Sequence, residues 1–156
     1  MNMFNLNGKI ALVTGASYGI GFAIASGLAA AGAKIVFNDI NRELVDKGIA
    51  AYKEANIDAT GYVCDVTDEP GVQKMIAKIE REIGVVDILV NNAGIIRRTP
   101  MHEMDVKDFR LIIDICYNNN LCTFNIIQKP CRCMFDNGSP CNFMEQLIIT
   151  KLHARS

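Results

Sequence analysis

The chain of 156 residues has no basic stripe, no polycationic arm and no alternation of basic with aromatic residues. A nucleic-acid binder draws most of its affinity from neutralised phosphates, so nucleic acid is excluded as an expected partner. No run of about 18 apolar residues occurs, the length a helix needs to cross a bilayer. The opening Met1-Asn2-Met3-Phe4-Asn5-Leu6-Asn7-Gly8-Lys9 lacks the basic start and sustained apolar core of an export signal. Neither a membrane partner nor secretion is therefore expected. Paired Cys-x-x-Cys knuckles are also missing. Cys122, Cys131, Cys133 and Cys141, with His153, would be numerous enough for tetrahedral zinc, but Cys131-Arg132-Cys133 has the wrong spacing, and no metal site is expected. With 50% hydrophobic and 21% charged residues and a net charge of −1, what remains is the composition of a one-domain globular protein.

The stretch Thr14-Gly15-Ala16-Ser17-Tyr18-Gly19-Ile20-Gly21 carries the most information. It follows Ile10-Ala11-Leu12-Val13, a continuous apolar run of the kind a strand buried on both faces needs. Ile20, Ala23, Ile24 and Leu28 then recur at helical spacing, so the glycines occupy a strand-to-helix turn. There Gly15 can take backbone angles closed to other residues, Gly19 can let the main chain approach a pyrophosphate, and Gly21 can let helix and strand pack closely. The N–H groups of the bend, from Gly15 through Ser17, Tyr18, Gly19 and Ile20 to Gly21, would face the anion with the positive helix end behind them. An ordinary glycine-rich turn is the alternative for this segment alone.

Lys34-Ile35-Val36-Phe37-Asn38-Asp39 resembles a second buried strand ending in a carboxylate, and Asp39 lies 18 residues after Gly21. The separation expected of a ribose-binding carboxylate is about 20 residues. Asp39 would accept both ribose hydroxyls and would oppose a 2′-phosphate. Like charges about 4 Å apart cost roughly 1 kcal/mol in water and roughly 4 kcal/mol at a protein-surface dielectric. NAD is thus the expected cofactor, with NADP left open because Arg42 can swing toward a 2′-phosphate. The blander alternative is that Asp39 begins the turn into a helix capped by Asn41.

Strand and helix continue to alternate, the pattern of a doubly wound parallel α/β sheet. A helix is expected from about Arg42 to Ala55, with Leu44, Val45, Ile49 and Tyr52 on one face and Gly48 among them for close packing. A strand over Ala59 to Cys64 follows. Thr67-Asp68-Glu69-Pro70 then supplies a cap and a first-turn proline for a helix burying Val72, Met75, Ile76, Ile79 and Ile83. Val86 to Val90 is the fourth strand, and Asp105 opens a further helix through Phe109 and Ile113. The expected strand order is 3-2-1-4, with ligand at the carboxyl ends between strands 1 and 4.

The spacing Thr-Gly-x-x-x-Gly-x-Gly, together with Asn91-Asn92-Ala93-Gly94 after the fourth strand, resembles the short-chain dehydrogenase/reductase family. The likeness covers about residues 1–115 and implies a Rossmann-type fold and NAD(P)-dependent oxidoreductase chemistry. It further implies an adenine pocket near Asp65 and Val66, a central sheet steadied by Asn91, and Ala93 and Gly94 beside the cofactor. Through Asn91-Asn92-Ala93-Gly94-Ile95-Ile96-Arg97-Arg98 the chain is most similar to gluconate 5-dehydrogenase-like sugar-acid dehydrogenases. That likeness implies a small sugar acid as substrate, with Arg97 and Arg98 as a fork for its carboxylate. Solvated loop arginines, or contacts to a neighbouring subunit, are the alternative. A cytoplasmic location and homo-oligomeric assembly are what the family implies, and a disulfide framework is not expected in that setting.

At about Cys116 the pattern changes. Up to Ile115 the chain has 11 of its 12 glycines and one cysteine, Cys64; from Cys116 onward it has five cysteines and only Gly138. Residues 116–156 are expected to be a foreign tail with little regular structure, arising from a frameshift, an insertion or a misplaced gene boundary. Strand 4 would then be an exposed edge. The family's reaction uses a tyrosine to move the hydroxyl proton, a lysine four positions later to lower its pKa, and a serine to polarise the carbonyl. Here Tyr18 is followed at that distance by Phe22, Tyr52 by Asn56, Tyr62 by Val66 and Tyr117 by Leu121. The family's asparagine after the fourth strand falls where Cys116 stands. No catalytic residue is therefore assigned, and His102 and His153 are expected to be solvated. Genomic sequence around the codon for Cys116 checks the origin of the tail: an uninterrupted frame with no alternative frame downstream overturns it.

Overall fold

The apolar run Ile10–Thr14 forms β1, buried along all but its first residue, as a strand covered on both faces must be. The computed structural model describes residues 5–100, 102–118 and 147–150, with 117, 118 and 147–150 as backbone alone. After β1 come α1 (Gly19–Ala30), β2 (Lys34–Asp39), α2 (Arg42–Glu54), β3 (Ala59–Val63), α3 (Glu69–Glu82), β4 (Ile88–Asn91), α4 (Val106–Ile113) and β5 (Leu147–Thr150). The sheet order is β3-β2-β1-β4-β5 and every pair is parallel. The chain reverses its direction of winding between β1 and β4, the switch point of a Rossmann-type sheet.

One layer of core lies on each face. Leu12, Val36, Tyr62 and Leu89 meet Val72, Met75, Ile76 and Ile79 of α3 on one side. Ala11, Val13, Ile35, Phe37, Ile88 and Val90 meet Ala25 of α1 and Val45 and Tyr52 of α2 on the other. Alternate residues of one strand therefore serve opposite layers, which explains why β1 and β2 read as continuous apolar runs. The expected inward face of α2 is rotated slightly. Val45, Gly48 and Tyr52 are buried, whereas Ile49 is exposed, because Gly48 and not Ile49 faces Phe37.

The caps follow the sequence signals. Asn41 accepts a hydrogen bond from the Leu44 amide at 2.9 Å, and Asp105 accepts one from the Lys107 amide at 2.8 Å. Asp68 occupies the cap position of α3 without a side-chain hydrogen bond, ahead of the expected first-turn proline. β4 begins at Ile88, two residues later than Val86, because Asp87 serves as a clamp. Its carboxylate accepts from the Ile10 amide at 2.9 Å and pairs with Lys9 Nζ at 2.9 Å.

Beyond α4 the helix widens into a π-helical turn at Asp114–Asn118, where the sequence pattern changes. The expectation that β4 forms an exposed edge is not met: β5 pairs with it from Ile88↔Leu147 to Asn91↔Thr150. Ile148, Ile149 and Thr150 are β-branched and suit a pleated strand, while an uncovered β4 offers a row of unpaired backbone groups. Residues 119–146 and 151–156, including Cys122, Cys131, Cys133, Cys141 and His153, lie outside the described residues.

Gly61 in β3 has no room for a side chain, since a Cβ there would stand 2.7 Å from Val45 Cγ1 and 2.8 Å from Phe37 Cζ. Gly61→Ala is expected to destabilise the fold by about 1–3 kcal/mol through overpacking, measured by urea unfolding.

Candidate functional site

Between the end of β1 and the start of α1 the backbone turns through Gly15 at φ +61° and Gly19 at φ +62°, a region that L side chains rarely adopt. The three glycines have separate reasons to be there. A Cβ on Gly15 would lie 2.9 Å from Ala93 Cα; one on Gly21 would strike the Asn92 side-chain amide and lie 2.7 Å from Gly15 O; one on Gly19 would stand in open space. Close packing thus excludes side chains at Gly15 and Gly21, and backbone conformation favours glycine at Gly19. Not every amide of the bend is available to a ligand. The Gly15 amide donates to Asn38 O at 2.9 Å and the Ala16 amide to the same oxygen at 3.4 Å, tying the bend to β2. The first-turn amides of α1 have no intrahelical acceptor, and Tyr18 provides no side-chain cap.

A second set of hydrogen bonds joins the bend to the end of β4. Thr14 Oγ1 accepts from the amides of Asn92 and Ala93, each at 3.0 Å. The Asn92 side-chain amide donates to Thr14 O and Gly15 O, each at 2.9 Å. These bonds are made by Asn92, the neighbour of the Asn91 expected to steady the sheet. Asn91 is buried, and neither side-chain atom of its amide has a partner among the described residues. Neighbouring residues at the end of β4 point to opposite faces, so the two asparagine side chains have different surroundings.

These elements open onto a cleft of about 320 Å3 at the carboxyl ends of the strands. Of the residues expected at a cofactor, Gly15, Tyr18, Gly19, Ile20, Gly21, Asp39, Asp65, Val66, Ala93 and Gly94 line it, whereas Ser17 and Asn91 do not. Ser17 turns its hydroxyl inward, buried and without a partner among the described residues. Asp65 is held in place by its own turn, accepting from the Thr67 amide at 2.8 Å and the Thr67 hydroxyl at 2.7 Å. Asn38, Cys64 and Asn92 also line the cleft, although the sequence assigns none of them to the cofactor and Asn92 enters only as part of the Asn-Asn-Ala-Gly motif. Each sits at or just beyond a strand's carboxyl end, the one signal that could have pointed to them. Arg97 and Arg98 are exposed and do not line the cleft; Arg97 Nε lies 3.6 Å from Asp108 Oδ1 in the first turn of α4. Among the described residues no cluster suited to a metal ion occurs, and no helix is long and apolar enough to cross a membrane.

The short chain dehydrogenase family matches residues 9–140 of this chain. The chain therefore belongs to that family, and the match runs past residue 115, where the likeness read from sequence was expected to end. It is 49% identical over 116 residues to 2-dehydro-3-deoxy-D-gluconate 5-dehydrogenase of Formosa agariphila, a stretch covering 74% of this chain and 44% of the relative. Among solved structures, 2-keto-3-deoxy-D-gluconate dehydrogenase from Streptococcus agalactiae is 62% identical, with a TM-score of 0.71, covering 80% of this chain and 47% of that one. A gluconate 5-dehydrogenase from Burkholderia cenocepacia, crystallised with NADP and tartrate, is 34% identical with a TM-score of 0.75, covering 83% and 51%. The chain thus spans about half the length of the relatives it matches.

The two adjacent asparagines should respond differently to truncation. Asn92→Ala removes two hydrogen bonds to buried carbonyls and is expected to cost about 1–3 kcal/mol in urea unfolding, with Asn91→Ala costing less than half as much.

Proposed function

We propose that this member of the short-chain dehydrogenase family is the dinucleotide-binding part of an NAD-linked sugar-acid dehydrogenase. The observation that carries the reading is the cleft in which the glycine bend, Asp39 at the end of β2, and Asp65 with Val66 meet. The bend suits a diphosphate on its own geometry. Gly19 leaves open space where a side chain would stand, so an anion can approach the main chain and the first-turn amides of α1.

Asp39 would accept the hydroxyls of the adenosine ribose and repel a 2′-phosphate. Arg42, the nearby cation able to offset that repulsion, is engaged by Asp46, with Nε to Oδ1 at 2.9 Å. Both observations favour NAD. An exposed pair of this kind contributes at most about 1 kcal/mol, which leaves NADP as the second candidate.

In the whole protein the bound nicotinamide would accept or supply hydride. The names of the relatives favour a gluconate-like hydroxyl, or the corresponding keto acid, as its partner. Arg97 and Arg98 are the candidates for the substrate carboxylate, with Asp108 as the competitor Arg97 would have to leave. A tyrosine with a lysine four positions later is not among these 156 residues, and a positioned acid or base is worth about 10²–10⁴-fold in rate. This chain by itself is therefore expected to bind cofactor without turnover. The same absence favours a second reading, a non-catalytic nucleotide-binding module.

Fluorescence titration with NADH is expected to saturate, with NADPH weaker by about fivefold or more. A signal that never saturates overturns the binding claim. In a rate assay with gluconate and NAD⁺ no NADH should form, and protein-dependent NADH formation overturns the claim that turnover needs residues absent here.

A further inference from the structure

Tyr52 lies on α2, 36 residues from the glycine bend in sequence, yet its hydroxyl donates to Ala16 O at 2.7 Å. Its side chain is held between Phe22 of α1, with ring centroids 4.6 Å apart, and Phe37 of β2, at 4.9 Å. The residue is only 1% exposed, so the hydroxyl has no water to turn to and its bond to Ala16 is fixed by packing. The same helix also abuts the bend directly. A Cβ on Gly48, one turn before Tyr52, would stand 2.9 Å from Ser17 Cα.

A trans peptide holds its C=O and N–H in opposite directions. Drawing Ala16 O into the core therefore turns the Ser17 N–H away from the core. Ala16 itself is tied on its other side, where its amide donates to Asn38 O at 3.4 Å. The Ala16–Ser17 peptide is thus held from α2, and the peptide before it from β2.

We propose that Tyr52 is a positioning residue for the nucleoside-diphosphate site, fixing the Ala16–Ser17 peptide and with it the course of the bend into Tyr18, Gly19 and Ile20, which line the cleft. This rests on the dinucleotide-binding reading above. Burial pushes the Tyr52 phenol far above its ordinary range, so it remains a neutral donor at any pH the protein meets. Phenylalanine would keep the ring contacts and lose only the donor, leaving Ala16 O without its partner.

The full chain and Tyr52→Phe should be compared for binding of NADH, ADP-ribose and adenosine, the last two by displacement of NADH. Tyr52→Phe is expected to weaken NADH and ADP-ribose by about three- to tenfold, while adenosine, which has no diphosphate, stays within twofold. Equal loss for adenosine and ADP-ribose would reveal general loosening of the fold and overturn the proposal, as would unchanged affinity for all three. A parent chain that fails to bind NADH would instead overturn the underlying cofactor reading. Gly48→Ala presses on Ser17 Cα at 2.9 Å and on the Phe37 ring at 2.8 Å, with the Tyr52 hydroxyl itself unchanged. It should show the same selectivity, so the proposal stays testable if Tyr52→Phe does not fold.

Discussion

The hydrogen bonds crossing between Thr14 and Asn92 hold the carboxyl ends of β1 and β4 together where the chain leaves the sheet on either side of the cleft. One hydroxyl oxygen accepts two backbone amides, and one side-chain amide returns two bonds to carbonyls of the opposite strand. Every group involved is buried or nearly so, where an unpaired carbonyl or amide costs more than the bond itself contributes. Beside this tie Gly15 packs against Ala93, leaving no room for a side chain.

From that knot the bend is supported in layers. β2 takes up the amides of Gly15 and Ala16, α2 takes up the carbonyl of Ala16 through Tyr52, and the glycines at 15, 21 and 48 remove the side chains that would keep these segments apart. An anion site made of main-chain groups has no side chains of its own to adjust. Its precision must come from what packs behind it. Here the bend is backed by the layer of Phe22, Phe37 and Tyr52, which belongs to the core on that face of the sheet.

The cleft is assembled from β1, β2, β3, β4 and the segments after them, all within the first 115 residues. None of the four tyrosines in these 156 residues has a lysine four positions later. β5 shows that pairing on the open side of β4 continues the sheet beyond that point, since an unpaired strand edge favours any segment of suitable β propensity.

Local signals determined much of this protein. Continuous apolar runs specified buried parallel strands, glycine spacing specified the bend, Asn41 and Asp105 specified helix starts, and Asp39 marked the end of the second strand. Each depends on residues near one another in the chain, where conformational preference and hydrophobic period act directly. What only the tertiary structure decided involves partners far apart. Asn92 and not its neighbour Asn91 meets Thr14, Arg97 turns to Asp108, Tyr52 reaches Ala16, and Leu147–Thr150 pairs with β4. The direction of a side chain at a strand's end, and the acceptor a buried hydroxyl finds, are set by which elements the fold brings alongside, and no short window of sequence contains that information.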